Sequence, residues 1–301
     1  MTIQVSVVVP VYRDASRARD AAHALLDQHL PPEAVLEVIL VDDGSADGTA
    51  EVLKSLEPAV RVLALPENRG RSGARNAGAE VARGSIVLFM DCDCLPNPGF
   101  LMQHFVALSA GAAASTGRVE GIGSGFWSRY QHDASMRRER QHAAGNIYSG
   151  SSQNLAVRTA EFNTIGGFDT GYCRYGFEDR DLLIRLGQRG SIAWTTATVR
   201  HQDLLCLTQV VSKMVEAGQY SSRRFAGHHP DAYKQLRYAA IDARLHPAIK
   251  PLARLAAPLA TGMAYAFDRL GCEHWLPYPL AWWTVKLTSA LAYFGGTARA
   301  G

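Results

Sequence analysis

Cysteine is sparse and poorly spaced for structural use. The five cysteines (Cys92, Cys94, Cys173, Cys206, Cys272) are an odd number with no C-x-x-C pair, which argues against a disulfide scaffold and against a zinc ribbon. The opening residues lack the basic region and apolar stretch of a secretory signal, so a reducing, cytoplasmic setting is expected. No G-x-G-x-x-G follows the first apolar run and no G-x-x-x-x-G-K-[ST] occurs, which argues against a dinucleotide fold and a P-loop nucleotidase. Gly 27 and Pro 13 are ordinary counts for 301 residues, excluding collagen-like and low-complexity architectures. Charged residues make up 20% with a net charge of +3, and no global basic footprint for duplex nucleic acid is present. With 47% hydrophobic residues the chain can bury a full core. Charge is unevenly spread: residues 1–211 hold 20 Lys+Arg against 23 Asp+Glu, whereas 212–301 hold 11 against 5. An acidic front and a basic back suggest different partners.

Over the first 95 residues, short β-branched runs alternate with helical patterns. Val5–Val9, Leu36–Val41, Val60–Leu65 and Ser85–Met90 read as buried strands. Between them Ser16–His29, Ala46–Leu56 and Ser72–Ala82 read as helices, with Ser45 and Asp47 placed as N-caps of the second. This alternation predicts βαβ crossovers and a parallel sheet with helices on both faces, whose ligands sit beyond the carboxyl ends of the strands. Further on, Gly121–Gly125 reads as a flexible stretch and a polar helix carries Arg137, Arg138 and Arg140. Ser152–Val157 and Ile192–Ala197 read as strands, Asp179–Arg189 as a helix, and the pattern turns helical from about residue 204.

The strand ends hold the chemistry-bearing residues. Pro10-Val11-Tyr12-Arg13-Asp14 follows the first strand, and Asp42-Asp43-Gly44-Ser45 follows the second. Alone, the latter is explained as a βα turn whose acids favour the helix N-terminus. Asp91-Cys92-Asp93 follows the fourth; two carboxylates there are costly unless hydrogen bonds or a cation compensate, and a hard divalent metal fits. The flanking Cys92 and Cys94 read as packing residues. Gly70-Arg71-Ser72-Gly73-Ala74-Arg75-Asn76 opens a helix where backbone amides and arginine forks suit phosphate, although a capped loop with surface arginines accounts for it equally. Glu178-Asp179-Arg180-Asp181 puts three carboxylates at a helix start, explained by the helix dipole or by a positioned base. His201 follows the late strand; alone it reads as a surface or packing histidine.

Taken in order, these segments over residues 4–203 resemble the inverting family 2 glycosyltransferases of GT-A fold. The resemblance implies an α/β, Rossmann-like mixed sheet flanked by helices, with a helical C-terminal region. It implies that Pro10, Tyr12 and Asp42 cradle a nucleotide base, with Asp14 at the pocket edge where many relatives carry another polar residue. Gly70, Arg71, Arg75 and Asn76 would lie beside the nucleotide and its diphosphate. Asp91 and Asp93 match the Asp-x-Asp motif for ribose and metal, with His201 as a further ligand to Mg²⁺ or Mn²⁺. Asp179 matches the base, and Glu178 would orient it or the acceptor. The implied activity is transfer of a sugar from a nucleotide sugar, UDP-linked by preference, to an acceptor hydroxyl of a glycan, lipid-linked saccharide or small molecule in cell-surface glycan or glycolipid synthesis. The competing readings are a non-catalytic nucleotide-sugar-binding protein and a sugar-nucleotidyltransferase; the latter needs a glycine-rich basic loop where Pro10-Val11-Tyr12 stands.

The expected organisation is a catalytic domain over 1–203, nucleotide-binding in 1–95 and acceptor-facing in 96–203, followed by a helical region over 204–301. Residues 251–267 and 275–294 are apolar, but charges and prolines disfavour a spanning helix. Trp275, Trp282, Trp283, Tyr278 and Tyr293 with net positive charge suit peripheral membrane contact through 251–294 at the cytoplasmic face; a helical cap packed on the catalytic domain suits the composition equally.

Overall fold

The computed structural model describes residues 3–299. Eight strands build one mixed sheet: β1 (Ile3–Val11), β2 (Ala34–Asp42), β3 (Arg61–Ala64), β4 (Ile86–Phe89), β5 (Cys94–Pro96), β6 (Ala114–Gly121), β7 (Leu155–Arg158) and β8 (Ile192–His201). Their order is β3-β2-β1-β4-β7-β6-β8-β5. The β3-β2-β1-β4 half is parallel, as the βαβ alternation predicts; β7 runs antiparallel to β4 and β6, and β8 runs parallel to β6. The valines of β1 explain why this half was readable. Val5, Val7, Val9 and Val11 enter one core and Val8 the other, all essentially inaccessible. With both faces covered, a one-residue slip would exchange the two sets, so the register is firmly set.

The helices of this part are α1 (Ala15–Leu26), α2 (Thr49–Lys54), α3 (Gly70–Val81), α4 (Phe100–Ser109), α5 (Phe126–Ala143), α6 (Thr159–Thr164) and α7 (Glu178–Gly187). α2 is shorter than the Ala46–Leu56 expectation. Asp47 accepts from the Thr49 amide at 3.1 Å, whereas Ser45 turns back to hydrogen-bond Asp42 and caps nothing. α3 lies directly on the sheet: a Cβ on Gly78 would stand 2.4 Å from Val8 Cγ1. Ser152–Asn154 is a 3₁₀ turn, with strand geometry beginning only at Leu155. Two strands were not legible, β5 and β6.

The chain divides into two compact units. One gathers the chain through Ile122 with Gln131–Thr170 and Asp179–Asp203; the other takes Gly123–Tyr130, Gly171–Glu178 and the chain from Leu204 onward. The second unit is helical: α8 (Leu207–Glu216), a π-helical turn (Ala217–Ser221), α9 (Ser222–His228), α10 (Pro230–Gln235), α11 (Lys250–Arg269), α12 (Cys272–Trp275) and α13 (Tyr278–Arg299). Leu207, Val211, Ala260, Ala264, Phe267, Val285 and Ala292 form its core. α11 and α13 pair antiparallel, since Ala253 clusters with Ala298 while Phe267 shares a core with Ala281 near the connection. Among the described residues no helix is long and apolar enough to cross a membrane.

Candidate active site

Strand direction brings the candidate residues to one edge of the sheet. β1, β2 and β4 are parallel and end there, with Asp42 the last residue of β2 and Tyr12 and Asp91 just beyond β1 and β4. Leu155 at the start of β7 pairs with Phe89 at the end of β4, so the turn containing Ser151 lies at that same edge. Ser151 Oγ donates to Asp179 Oδ2 at 3.3 Å, which ties Asp179 to it. β8 runs antiparallel in sense to β7 through β6, and His201 is its last residue rather than lying beyond it.

Asp93 and His201 meet across the β5–β8 pair, with His201 Nε2 3.3 Å from Asp93 Oδ2. Burial opposes charge on both, but their hydrogen bond and mutual attraction outweigh it. The Asp93 carboxyl is therefore held below the ordinary carboxylate range and the His201 imidazole above its own. Asp203 completes the group: ligand atoms of Asp93, His201 and Asp203 all lie within 4.8 Å of one another. Arg17 binds Asp203 and reaches Asp14 at 3.3 Å, and Asp14 caps α1 by accepting from the Arg17 amide. Asp203 is a candidate that the sequence reading missed; its two-residue spacing from His201 is the signal that could have found it. Two carboxylates and an imidazole, with His201 Nδ1 buried and lacking a hydrogen-bond partner among the described residues, fit a hard divalent cation such as Mn²⁺. Burial, with the neighbouring Asp91 and Asp93 carboxylates, pushes the thiols of Cys92 and Cys94 upward and keeps them protonated.

Asp91 stands apart from that trio. Arg75, only 1% exposed, donates through Nη2 to Asp91 Oδ1 at 2.6 Å and lies over the Phe168 ring. Asn76 binds both backbone polar groups of Phe168, donating to the carbonyl at 2.8 Å and accepting from the amide at 2.9 Å. Arg185 extends this frame, holding the Ile165 and Gly167 carbonyls and Asp181. Arg75 and Asn76 thus face inward and position the Asp91 turn and the Gly166–Asp169 turn. Arg71 is exposed, and its charge helps hold Asp93 ionised. Gly70, at φ 72°, starts α3 beside Asn68 and has open space around it.

Pro10 and Tyr12 lie at the end of β1, with Tyr12 45% exposed and the Arg13 guanidinium 5.0 Å from its ring centre. Asp42 is buried, fixed by the Ser45 hydroxyl, which in turn accepts from the Arg13 amide at 2.9 Å. Asp43 is buried too; burial raises its carboxyl above the ordinary range against the opposing pull of the Arg69 and Gly70 amides. Asp179 has one oxygen on Ser151 and the other, Oδ1, buried with no hydrogen-bond partner among the described residues. Glu178 is 8% exposed and belongs to the second unit.

A mixed sheet of this order, flanked by helices and followed by a helical region, is the GT-A arrangement. Over 97% of its length the chain superposes on 86% of a mannosyltransferase from Pyrobaculum calidifontis, solved in complex with GDP-Man and Mn²⁺, with a TM-score of 0.62 at 21% identity. The profile of Glycosyl transferase family 2 matches residues 6–175, more than half of the chain, and the chain belongs to that family. Glycosyltransferase AglE of Haloferax volcanii is 31% identical over 171 residues, covering 54% of this chain and 55% of that protein. A dolichyl-phosphate beta-glucosyltransferase of Drosophila melanogaster is 36% identical over 143 residues, covering 44% of this chain and 43% of its own. The chain thus spans about half the length of these curated relatives.

Proposed function

We propose that this protein transfers a sugar, with inversion, from a nucleotide sugar to an acceptor hydroxyl in cell-surface glycan or glycolipid synthesis, with a UDP-sugar as donor. The gathering of Tyr12, Asp42, Asp93, His201 and Asp179 at one sheet edge carries this reading, supported by family membership. Residues 1–95 would hold the nucleotide and 96–203 the acceptor side. Tyr12 offers a ring face to the base, and Asp42, already oriented by Ser45, would accept from a base N–H. Asp93 and His201, with Asp203, would hold Mg²⁺ or Mn²⁺. Such a cation, when bound, neutralises charge developing on the departing diphosphate. Asp179 Oδ1 takes the proton of the attacking acceptor hydroxyl, while Ser151 fixes the carboxylate through its other oxygen. The likeness to a dolichyl-phosphate glucosyltransferase supports a lipid-linked acceptor.

The test is transfer from a panel of nucleotide sugars by Asp179→Asn and Glu178→Gln variants. Loss of a general base costs about 10²–10⁴-fold in rate, so Asp179→Asn should lose turnover by that range and keep near-normal UDP affinity. Normal turnover in Asp179→Asn, with collapse in Glu178→Gln, would move the base. Donor binding with no transfer or hydrolysis under any donor would instead favour a binding protein.

A further inference from the structure

The second unit carries an apolar surface that the transfer chemistry does not use. Toward the end of the α11–α13 hairpin, Tyr265, Leu270, Trp275, Leu280, Trp283 and Leu287 are each 55–66% exposed. Trp275 lies in α12, Tyr265, Leu270, Leu280 and Trp283 flank it within about two helical turns, and Leu287 continues the α13 side toward mid-helix. On α13 the spacing Leu280, Trp283, Leu287 forms one stripe opposite the buried Ala281, Val285 and Thr288. Isolated exposed leucines are ordinary, but six large side chains gathered toward one helix-hairpin end are not.

The surrounding charge is one-sided. On the α12 side Arg129, Arg269 and Lys286 stand against two acids, Asp268 and Glu273, while Lys250, Arg254 and Arg299 lie toward the far end of the hairpin. Both acids are turned to internal tasks. Asp268 accepts from the Leu207 and Thr208 amides at 2.8 Å and so caps α8, and Glu273 is mostly covered beside His274. Arg129 lies 3.8 Å over the Tyr278 ring, and Lys286 sits 5.5 Å from the Trp282 ring, so cations and aromatics alternate at this end. That composition fits the headgroup level of a lipid bilayer, where aromatic bodies enter the acyl boundary and cations meet anionic phosphates.

We propose that the α12 end of this hairpin docks the protein onto an anionic lipid surface, lying on it without crossing it. A second copy is the competing occupant. It fits less well, because a two-fold interface sets this positively charged patch against a second copy of the same patch. The proposal stands apart from the transfer reaction and its test needs no activity.

The full-length chain is sedimented with phosphatidylcholine vesicles, with and without phosphatidylglycerol, across a salt series. Binding is expected to the anionic vesicles and to weaken as salt screens the basic residues. A Trp275→Glu, Trp283→Glu double variant should bind at least about tenfold more weakly, because two large apolar anchors are lost. Both positions are exposed, so circular dichroism should show the fold retained. A Trp275→Tyr, Trp283→Tyr variant should keep most of the binding, separating interfacial anchoring from misfolding. Absence of wild-type binding, or equal binding by the Glu variant, overturns the proposal. So does a wild-type dimer in light scattering that the Glu variant converts to monomer while vesicles are ignored.

Discussion

His104 lies on α4 with no solvent access, and its environment settles its protonation. Asn154 Nδ2 donates to the Arg118 and Ala197 carbonyls at 2.8 and 2.9 Å, so Asn154 Oδ1 is left to accept. His104 Nε2, 2.7 Å from that oxygen, therefore carries the proton, and Nδ1 accepts from the Ser115 hydroxyl at 2.8 Å. The ring is neutral, and complete burial pushes its pKa down to about 4, only partly offset by the Asn154 bond. Below the unfolded value of 6.5 the unfolded chain takes up a proton that the folded chain refuses until about 4. Stability therefore falls as pH drops through that window, and His104 adds no pH dependence above it. The gap corresponds to a loss on the order of 3 kcal/mol.

A His104→Gln variant removes this titration. Near pH 7 it should be less stable by about 1–3 kcal/mol, because Ser115 and Asn154 lose a matched partner. That deficit should shrink as pH falls, the two curves meeting or crossing by about pH 4 because the wild type alone carries the penalty. Urea unfolding followed by circular dichroism over this range measures the difference directly and cancels the other histidines. Parallel curves for the two proteins, or a His104 resonance titrating near the free-histidine value, would refute the reasoning.

Two further outcomes follow from the sheet edge. Asp93→Ala should abolish Mn²⁺ binding in calorimetry and transfer with it, and Asp203→Ala should weaken binding at least about tenfold whether it touches the ion or orients its ligands; activity surviving both EDTA and Asp93→Ala would remove the metal assignment. UDP should bind the Mn²⁺-loaded protein better than ADP, since a hydrogen-bonding site rejects an analogue that leaves its groups unpaired, and Tyr12→Ala should weaken both through lost stacking, by about 1–3 kcal/mol. Equal affinities for the two nucleotides would defeat the uracil preference.

The nucleotide-side half of the fold was legible because its strands are β-branched runs buried on both faces. β6 was not, and the reason is chemical. Its Ser115 and Thr116 are buried only because His104 and the Asn154 carbonyl satisfy them, and Gly117 is there because a Cβ would stand 2.1 Å from the Ala197 carbonyl oxygen. Such a strand has no hydrophobic alternation to read; its partners come from α4 and from the turn before β7. β5 is three residues long and defined by pairing with β8, over a hundred residues away. Asp203 escaped for a related reason. It joins Asp93 only once β5 and β8 are paired, and neither the strand nor the pairing could be inferred locally.

The motif containing Arg75 and Asn76 shows what residue spacing alone leaves open. An arginine and an asparagine at the head of a glycine-rich helix suit a phosphate, and spacing alone cannot tell an outward guanidinium from an inward one. Arg75, at 1% exposure, points into the protein, where Asp91 and the Phe168 ring receive it. An unpaired guanidinium at that depth would carry a desolvation cost of several kcal/mol, so Arg75 and Asp91 are held together by necessity. Asn76 has both ends of its amide engaged by the backbone of Phe168, and Arg185 ties the neighbouring Gly167 carbonyl to Asp181 on α7. One continuous set of hydrogen bonds therefore runs from the Asp91 turn through α3 to the helix that bears Asp179. Arg71, exposed at the front of α3, is the member of the motif whose charge helps hold Asp93 ionised. The motif divides its labour: Arg75 and Asn76 tie the Asp91 turn to the Gly166–Asp169 turn, and Arg71 contributes positive charge felt at Asp93.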